Sequence, residues 1–303
     1  LAPENPTRLW GTHYFDAWDG MILFRNQVAD ASDILAGLRC RAHAIDRRIH
    51  NGPDMNGLRL WGLGNPWITG GGGNTRMDAQ STVVRKSALS ANGGSNRGKG
   101  IPPGQVLGTF FVAGGSGWSV TEGGYGPTSY TPLDQQVEDH VRRLLVDYDS
   151  PAPGAAALAI VSDTSANGEM WRINTPEYNT IQLLADGFII TGPDGNQLHG
   201  FVHHPVNPTI SSGYFDTGDK LRIGDPADYP SGQNGYNNRF IDIEAAGNTD
   251  FQVTLVLVPA GQSVPTVAET GGSGAFRTIE VGGRSYTPAT SGFAVPDWHV
   301  DPA

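Results

Sequence analysis

Turn-forming residues cut this chain into short pieces: 42 of its 303 residues are glycine and 21 are proline. Glycine costs a helix interior about 1 kcal/mol and proline about 3 kcal/mol. Few segments can therefore run long enough to build a helical bundle. Between the breaks, apolar residues alternate with period two, the pattern of strands that bury one face. MILFR at 21–25, VLGTFFVA at 106–113, GFIIT at 187–191, FIDIEA at 240–245 and FQVTLVLVP at 251–259 all read this way. AALAIVS at 156–162 reads as a strand buried on both faces. Thr191-Gly-Pro-Asp-Gly-Asn196 carries turn chemistry between 187–191 and 197–203. Gly282-Gly283 is a two-residue hairpin signal between 276–281 and 284–287.

One helical pattern competes. Asp134 is placed to cap a segment with Val137, Val141, Leu144 and Leu145 at 3.6 spacing. Residues 140–148 read equally well as a strand, and periodicity leaves both open. Segments 90–105, 114–132 and 205–238 read as glycine-rich or turn-rich loops. No repeat and no linker stands out, so residues 1–303 are expected to form one all-β unit.

Composition removes several classes. A formal net charge of −10 opposes phosphate-backbone binding, so no nucleic-acid partner is expected. No apolar run approaches the roughly 20 residues of a membrane helix, so no span is expected. The single cysteine, Cys40, excludes an internal disulfide and a cysteine-based zinc site. With 38% hydrophobic residues, seven Trp and eleven Phe, the chain can fill a core and does not read as disordered. It opens Leu-Ala-Pro-Glu without an initiator Met or a signal-type region, which reads as a processed or trimmed end. The Asn, Gly, Ser and Thr load suggests a secreted or extracellular protein.

Residues 11–84 are the most informative stretch. Asp19-Gly20-Met21-Ile22-Leu23-Phe24-Arg25, His50-Asn51-Gly52-Pro53-Asp54, the LRLWGLGNPWITGGG run at 58–72, and Ala79-Gln80-Ser81-Thr82-Val83 follow one another. This order resembles the β-sheet domain of heparinase II/III-like polysaccharide lyases. That domain shows an aspartate-glycine strand ending in arginine, a His-x-His-x-Asp motif, a glycine-rich stretch and a later strand. Further on, Val141-Arg142-Arg143-Leu144-Leu145, Ala159-Ile160-Val161-Ser162-Asp163 and Trp171-Arg172-Ile173-Asn174-Thr175-Pro176 resemble three more strands of the family. The likeness runs over about 11–205. It implies an all-β fold, a large antiparallel β-sandwich of the heparinase II/III-like C-terminal domain type. It also implies a secreted bacterial protein, extracellular or periplasmic.

The resemblance places the family's catalytic histidine at His50. Gly52, Gly70 and Gln80 stand where the family has metal ligands, and none supplies an ordinary zinc ligand, so the expectation is no metal and no cofactor. Nothing in the sequence reads as the α/α toroid that family lyases carry. A separate toroid domain therefore joins a glycan among the expected partners, and self-assembly is a third candidate.

Lyases of this type break uronate polysaccharides by β-elimination. Negative charge builds on the sugar carboxylate and must be met by a cation or by hydrogen-bond donors. His50, with an ordinary pKa of about 6.5, suits the base or the neutralising role. Arg48 and Tyr125 are the candidate assistants, with Tyr125 standing in for a toroid tyrosine. Arg59, Trp118 and Tyr130 are candidate substrate contacts, because aromatic rings pack on the apolar faces of sugars. His199 and His203 share a strand face by alternation, and Asp216, Asp219, Asp225 and Asp228 crowd a turn-rich segment; a metal or calcium reading exists for each, as does plain strand or turn chemistry.

Two functions follow as expectations. The first is metal-independent action on, or binding of, an anionic uronate polysaccharide. The second is a catalytically silent extracellular structural or adhesive subunit built on the same domain.

Overall fold

The computed structural model describes residues 11–16, 20–30, 32–40, 56–70, 81–84, 104–123, 139–149, 152–215, 226–230, 235–247, 249–295 and 298. The described residues form strands and short turns, arranged in four antiparallel sheets. The largest has eight strands in the order β12-β13-β14-β17-β10-β9-β8-β7. These are β7 (Gln105–Phe111), β8 (Gly117–Glu122), β9 (Val141–Asp147), β10 (Ala157–Thr164), β12 (Thr180–Leu184), β13 (Gly187–Thr191), β14 (Gln197–His204) and β17 (Phe251–Val258).

Over one face of this sheet lie two smaller sheets. The first runs in chain order through β1 (His13–Asp16), β2 (Met21–Arg25), β3 (Leu35–Arg39), β4 (Gly57–Gly62) and β5 (Asn65–Ile68). The second has the order β15-β16-β11-β6, with β6 (Val83–Val84), β11 (Met170–Pro176), β15 (Thr209–Phe215) and β16 (Asn238–Glu244). The two adjoin where Thr69 bridges Asn174. A last sheet, β18 (Val267–Gly271), β19 (Thr278–Val281), β20 (Arg284–Ala289) and β21 (Gly292–Ala294), covers the opposite face.

Alternation explains the layering. On β9, β10 and β17, one set of side chains (Leu144, Val146, Ala159, Val161, Val253, Leu255) packs with Ile22, Phe24, Trp67 and Trp171 in the main core. The alternate set (Leu145, Leu158, Ile160, Val256, Val258) packs with Ile279, Val281 and Tyr286 in a second core. A strand covered on both faces carries apolar residues at every position. That is why 156–161 and 255–258 are unbroken apolar runs. The fold is the expected all-β sandwich, with a small third layer added.

The described part of the competing segment, 141–147, is strand β9. Two segments that read as loops contain strands. β8 lies inside 114–132 and β15 inside 205–238. Both are rich in Gly, Ser or Thr, so the apolar signal is thin while the backbone ladder still forms. The turns behaved as their chemistry required. Gly282 and Gly283 have φ of 57° and 90°, the left-handed pair that a tight hairpin needs.

Candidate functional site

Most of the sequence-predicted residues fall in three segments, and the described residues that flank each segment meet. His50 and Arg48 fall in 41–55, Tyr125 and Tyr130 in 124–138, and Gln80 in 71–80. All of these residues lie outside the described ones, as do Asp216, Asp219 and Asp225. The roots of these segments are described. Asn56 N donates to Arg39 O at 2.8 Å, closing the ends of 41–55. Ser81 Oγ donates to Thr69 O at 2.6 Å, closing 71–80. Gly123 N donates to His140 O at 2.9 Å, closing 124–138.

One buried polar network ties these closures together. Arg142 Nη1 donates to Asn56 O at 2.5 Å and to Ser81 O at 3.1 Å. Asn56 Nδ2 donates to His140 O at 3.2 Å. The network centres on Asp163. Its carboxylate takes Arg142 Nε at 2.8 Å, Arg142 Nη2 at 2.6 Å, Trp171 Nε1 at 2.9 Å and His140 Nε2 at 3.0 Å. Arg142, Asp163, His140, Asn56 and Trp171 are all fully buried. Cys40 closes the same end from below, its thiol donating to Glu122 O at 3.0 Å. Burial pushes that thiol up to about 12, so it is a structural and unreactive group.

Burial alone would raise the Asp163 carboxyl, but the Arg142 charge and the hydrogen bonds from Arg142 and His140 outweigh it and hold the group well below the usual carboxylate range. Burial drives His140 the other way, below the ordinary histidine value, against the pull of Asp163. A neutral ring fits the partners: Nε2–H donates to Asp163, and Nδ1 at 3.3 Å accepts from Asn56 Nδ2. The arrangement is positional, because solvent does not reach it.

Above these roots lies the outer face of the five-stranded sheet. With Ile22, Phe24, Ala36, Leu38, Leu58 and Leu60 turned into the core, alternation turns Met21, Leu23, Arg25, Leu35, Arg39, Arg59 and Trp61 outward. Cross-strand register aligns Tyr14, Leu23, Gly37 and Arg59 in one row, and Asp16, Met21, Arg39 and Gly57 in the next. Three arginines and one aspartate thus occupy this face of a chain whose net charge is −10. Arg25 also pairs with Asp33 at 3.1 Å. Tyr14 and Trp61 are 44% and 39% exposed, an aromatic at each side of the face. A hollow of about 490 Å³ lies between Tyr14, Met21, Leu23, Arg25 and Leu35.

Arg59 is half-buried on β4, with Nη1 donating to Leu58 O at 3.0 Å. Its guanidinium lies against Gly70, where any Cβ would collide with it. Gly70 is therefore a glycine because an arginine occupies the space beside it. The structure joins Arg59 to the root of 71–80 and does not join Trp118 to it. Trp118 stands on β8, where its ring stacks on Phe110 at 5.8 Å and packs against Gly108 and Gly292. It is a packing residue of the second core and not a loop residue. Trp67 is wholly buried and donates Nε1–H to Gly62 O at 2.9 Å.

Among the described residues, no group of three or more His, Cys, Asp or Glu side chains could hold a metal ion. His199 and His203 do share a face of β14, the one that carries Phe201 towards the second core, and both are buried. They are taken by Gln197 Oε1 and Thr254 Oγ1, each at 2.9 Å. Asp228 uses its carbonyl to accept Tyr236 OH at 2.9 Å. No helix among the described residues is long and apolar enough to cross a membrane.

Arg25, Arg39 and the His140–Arg142–Asp163–Trp171 network were not singled out as site residues from the sequence. A signal existed for the first two, since MILFR and LAGLR both end their alternation on an outward arginine.

No family model and no curated protein matches the chain. Solved structures do. Heparinase III matches with 12% identity and a TM-score of 0.56, over 91% of this chain and 42% of that one. Heparan sulfate lyase HepC from Pedobacter heparinus matches with 14% identity and a TM-score of 0.58, over 93% of this chain and 42% of that one. A further heparinase III matches with 14% identity and a TM-score of 0.55, over 93% of this chain and 44% of that one. The chain thus spans well under half the length of these lyases, and at such identities the likeness is one of fold. In fold, this chain is similar to the part of these heparinase III and heparan sulfate lyase structures that it covers.

Proposed function

We propose that this chain acts on an anionic, uronate-containing polysaccharide outside the cell, and that the polymer lies along the outer face of the five-stranded sheet. The observation that carries this reading is the gathering of Arg25, Arg39 and Arg59 on one face of a chain with net charge −10. An acidic protein repels a polyanion unless its binding face is locally basic. Here Arg25 is balanced by Asp33, while Arg39 and Arg59 outnumber Asp16; the face is flanked by exposed Tyr14 and Trp61, and adjoins the roots of the segments that bear His50, Arg48, Tyr125 and Tyr130. The match to heparan sulfate lyases supports the same substrate class.

In this reading the reaction is β-elimination. His50 takes the proton beside the uronate carboxylate. The electron pair left behind forms a carbon–carbon double bond, and the bond to the departing glycosidic oxygen breaks. Tyr125 gives that oxygen its proton. Arg59, with Arg48, meets the charge that builds on the carboxylate. No metal enters the scheme. Trp118 has no part in it, and Tyr130 remains a candidate contact of the polymer.

Incubation with heparan sulfate, alginate, hyaluronan, chondroitin and glucuronan, followed by ultraviolet absorbance of the new double bond, tests the scheme. Absorbance that His50→Ala abolishes supports it. Absence of absorbance on every polymer overturns the catalytic part and leaves a binding or structural subunit.

A further inference from the structure

We infer that the hollow beside Tyr14, Met21, Leu23 and Leu35 holds the acetamido group of an N-acetylhexosamine, which fits the face to a polymer alternating that sugar with a uronate. The inference rests on the proposed binding of a uronate polysaccharide and adds what the second sugar carries. An antiparallel sheet that packs one face on a core ordinarily shows polar residues on the other. Here Met21, Leu23 and Leu35 all turn outward and are only half-buried. Gly37 stands opposite Leu23, and a Cβ there would strike Leu23 Cδ2, so the leucine side chain lies across β3. The three aliphatic side chains line one hollow of about 490 Å³, within the usual range of ligand pockets.

The hollow carries no net charge, although the face around it is basic. Arg25 lines it, but Asp33 holds Arg25 Nη2 at 3.1 Å. Asp33 is fixed in turn by Ala29 N at 2.9 Å and Asp30 N at 3.1 Å. His13 lines the hollow too, and burial holds it below the ordinary histidine value, so its ring is neutral at neutral pH. Just outside, Arg39 stands directly opposite Met21 across the strand pair, which puts their Cβ atoms about 5 Å apart.

An uncharged, aliphatic hollow thus adjoins a cation. Those two environments match one repeat of such a polymer, the carboxylate of the uronate on Arg39 and the acetamido methyl of the next sugar on Met21, Leu23 and Leu35. The hydroxyls of Thr12 and Tyr14, both in the lining, are neutral groups able to hydrogen-bond the amide. An N-sulfo group in the same place would lose the water around its charge beside an arginine that Asp33 already neutralises, which is unfavourable. A free ammonium group would meet the same aliphatic wall with a charge of the other sign, and would bring no methyl to bury.

The test is binding of the full chain to one alternating glucuronate–glucosamine backbone in three forms, with the amine acetylated, sulfated or free. Each N-sulfo group adds a negative charge, so binding through arginines alone ranks the sulfated form first. The inference predicts the reverse, with the acetylated form tightest and the sulfated form several-fold weaker. Leu23→Lys puts a cation into the hollow and should invert that order, with circular dichroism checking the fold. The wild-type ranking decides the matter even where that variant does not fold. Equal or tighter binding of the sulfated form by wild type would overturn the inference and leave the polysaccharide reading standing. So would a folded Leu23→Lys that keeps the wild-type order, or binding to hexosamine-free glucuronan and to none of the three forms. Binding to none of the four polymers would overturn the inference together with the reading it rests on.

Discussion

Arg142 grips both oxygens of Asp163, Nε to Oδ1 at 2.8 Å and Nη2 to Oδ2 at 2.6 Å, and solvent reaches neither side chain. A buried ion pair pays heavily for desolvation, so replacing both partners by well-packed apolar residues often costs nothing. Removing one partner is different, because it strands the other charge. Asp163→Asn, nearly isosteric, should therefore cost about 3–5 kcal/mol. Urea unfolding followed by tryptophan fluorescence measures it. A loss below about 1 kcal/mol would show that the pair is not desolvated as described.

The same network sets the response to acid. Burial holds His140 below its ordinary value, so the unfolded chain takes up a proton that the folded ring refuses. That contribution to stability is fully present above about pH 6.5 and is lost as pH falls below it. Asp163 is also depressed, so its contribution persists to lower pH and is lost only below the usual carboxylate range. Stability should fall in two stages, the first starting near neutrality. His140→Gln should remove the His140 share of the first stage, leaving the shares of His13, His199 and His203, which burial also depresses. Thermal unfolding between neutral and mildly acid pH checks this, and a wild-type profile flat down to the carboxylate range would contradict it.

Gly70 separates packing from function. A methyl group there meets the movable end of Arg59 and not backbone. Gly70→Ala should therefore cost little stability, under about 1 kcal/mol, while displacing the guanidinium. Binding of heparan sulfate should weaken several-fold, as Arg59→Gln would also make it do. Calorimetric titration compares the two variants, and unchanged affinity in both would remove Arg59 from the site.

Tyr14 and Trp61 make the complementary case. Both are exposed and lie outside the two cores, so Tyr14→Ala and Trp61→Ala should unfold within about 0.5 kcal/mol of wild type. If sugars stack on them, each loses affinity for the polysaccharide without altered salt dependence, because no charge has been removed. Equal affinity in both variants would confine binding to the arginines.

Most strands were legible because alternation and turn chemistry agreed. Met21–Arg25 and Gly187–Thr191 fall where the pattern put them. β8 and β15 were not legible, since strands of Gly, Ser and Thr are held by their neighbours' ladders more than by apolar side chains. The site was legible only as motifs along the chain. His140, Arg142, Asp163 and Trp171 come from three separated stretches, and pairing of β9 with β10 and the packing of β11 on them bring these residues together. Sequence spacing holds no record of that meeting. Trp118 misled because Gly114, Gly115 and Gly117 beside it suggested a loop, while Gly108 and Gly292, outside that segment, make room for its ring on β8.

The central claim is that the outer face of the five-stranded sheet binds an anionic polysaccharide through its arginines. Titration of heparan sulfate into wild type and into Arg39→Gln/Arg59→Gln, each at several salt concentrations, tests it most directly. Binding of a linear polyanion releases condensed counterions, so the slope of log affinity against log salt counts the cations engaged. The account predicts measurable wild-type binding, and in the double variant weaker binding with a slope shallower by up to about 2. Wild-type chain that does not bind, or a double variant with unchanged affinity and slope, would contradict it.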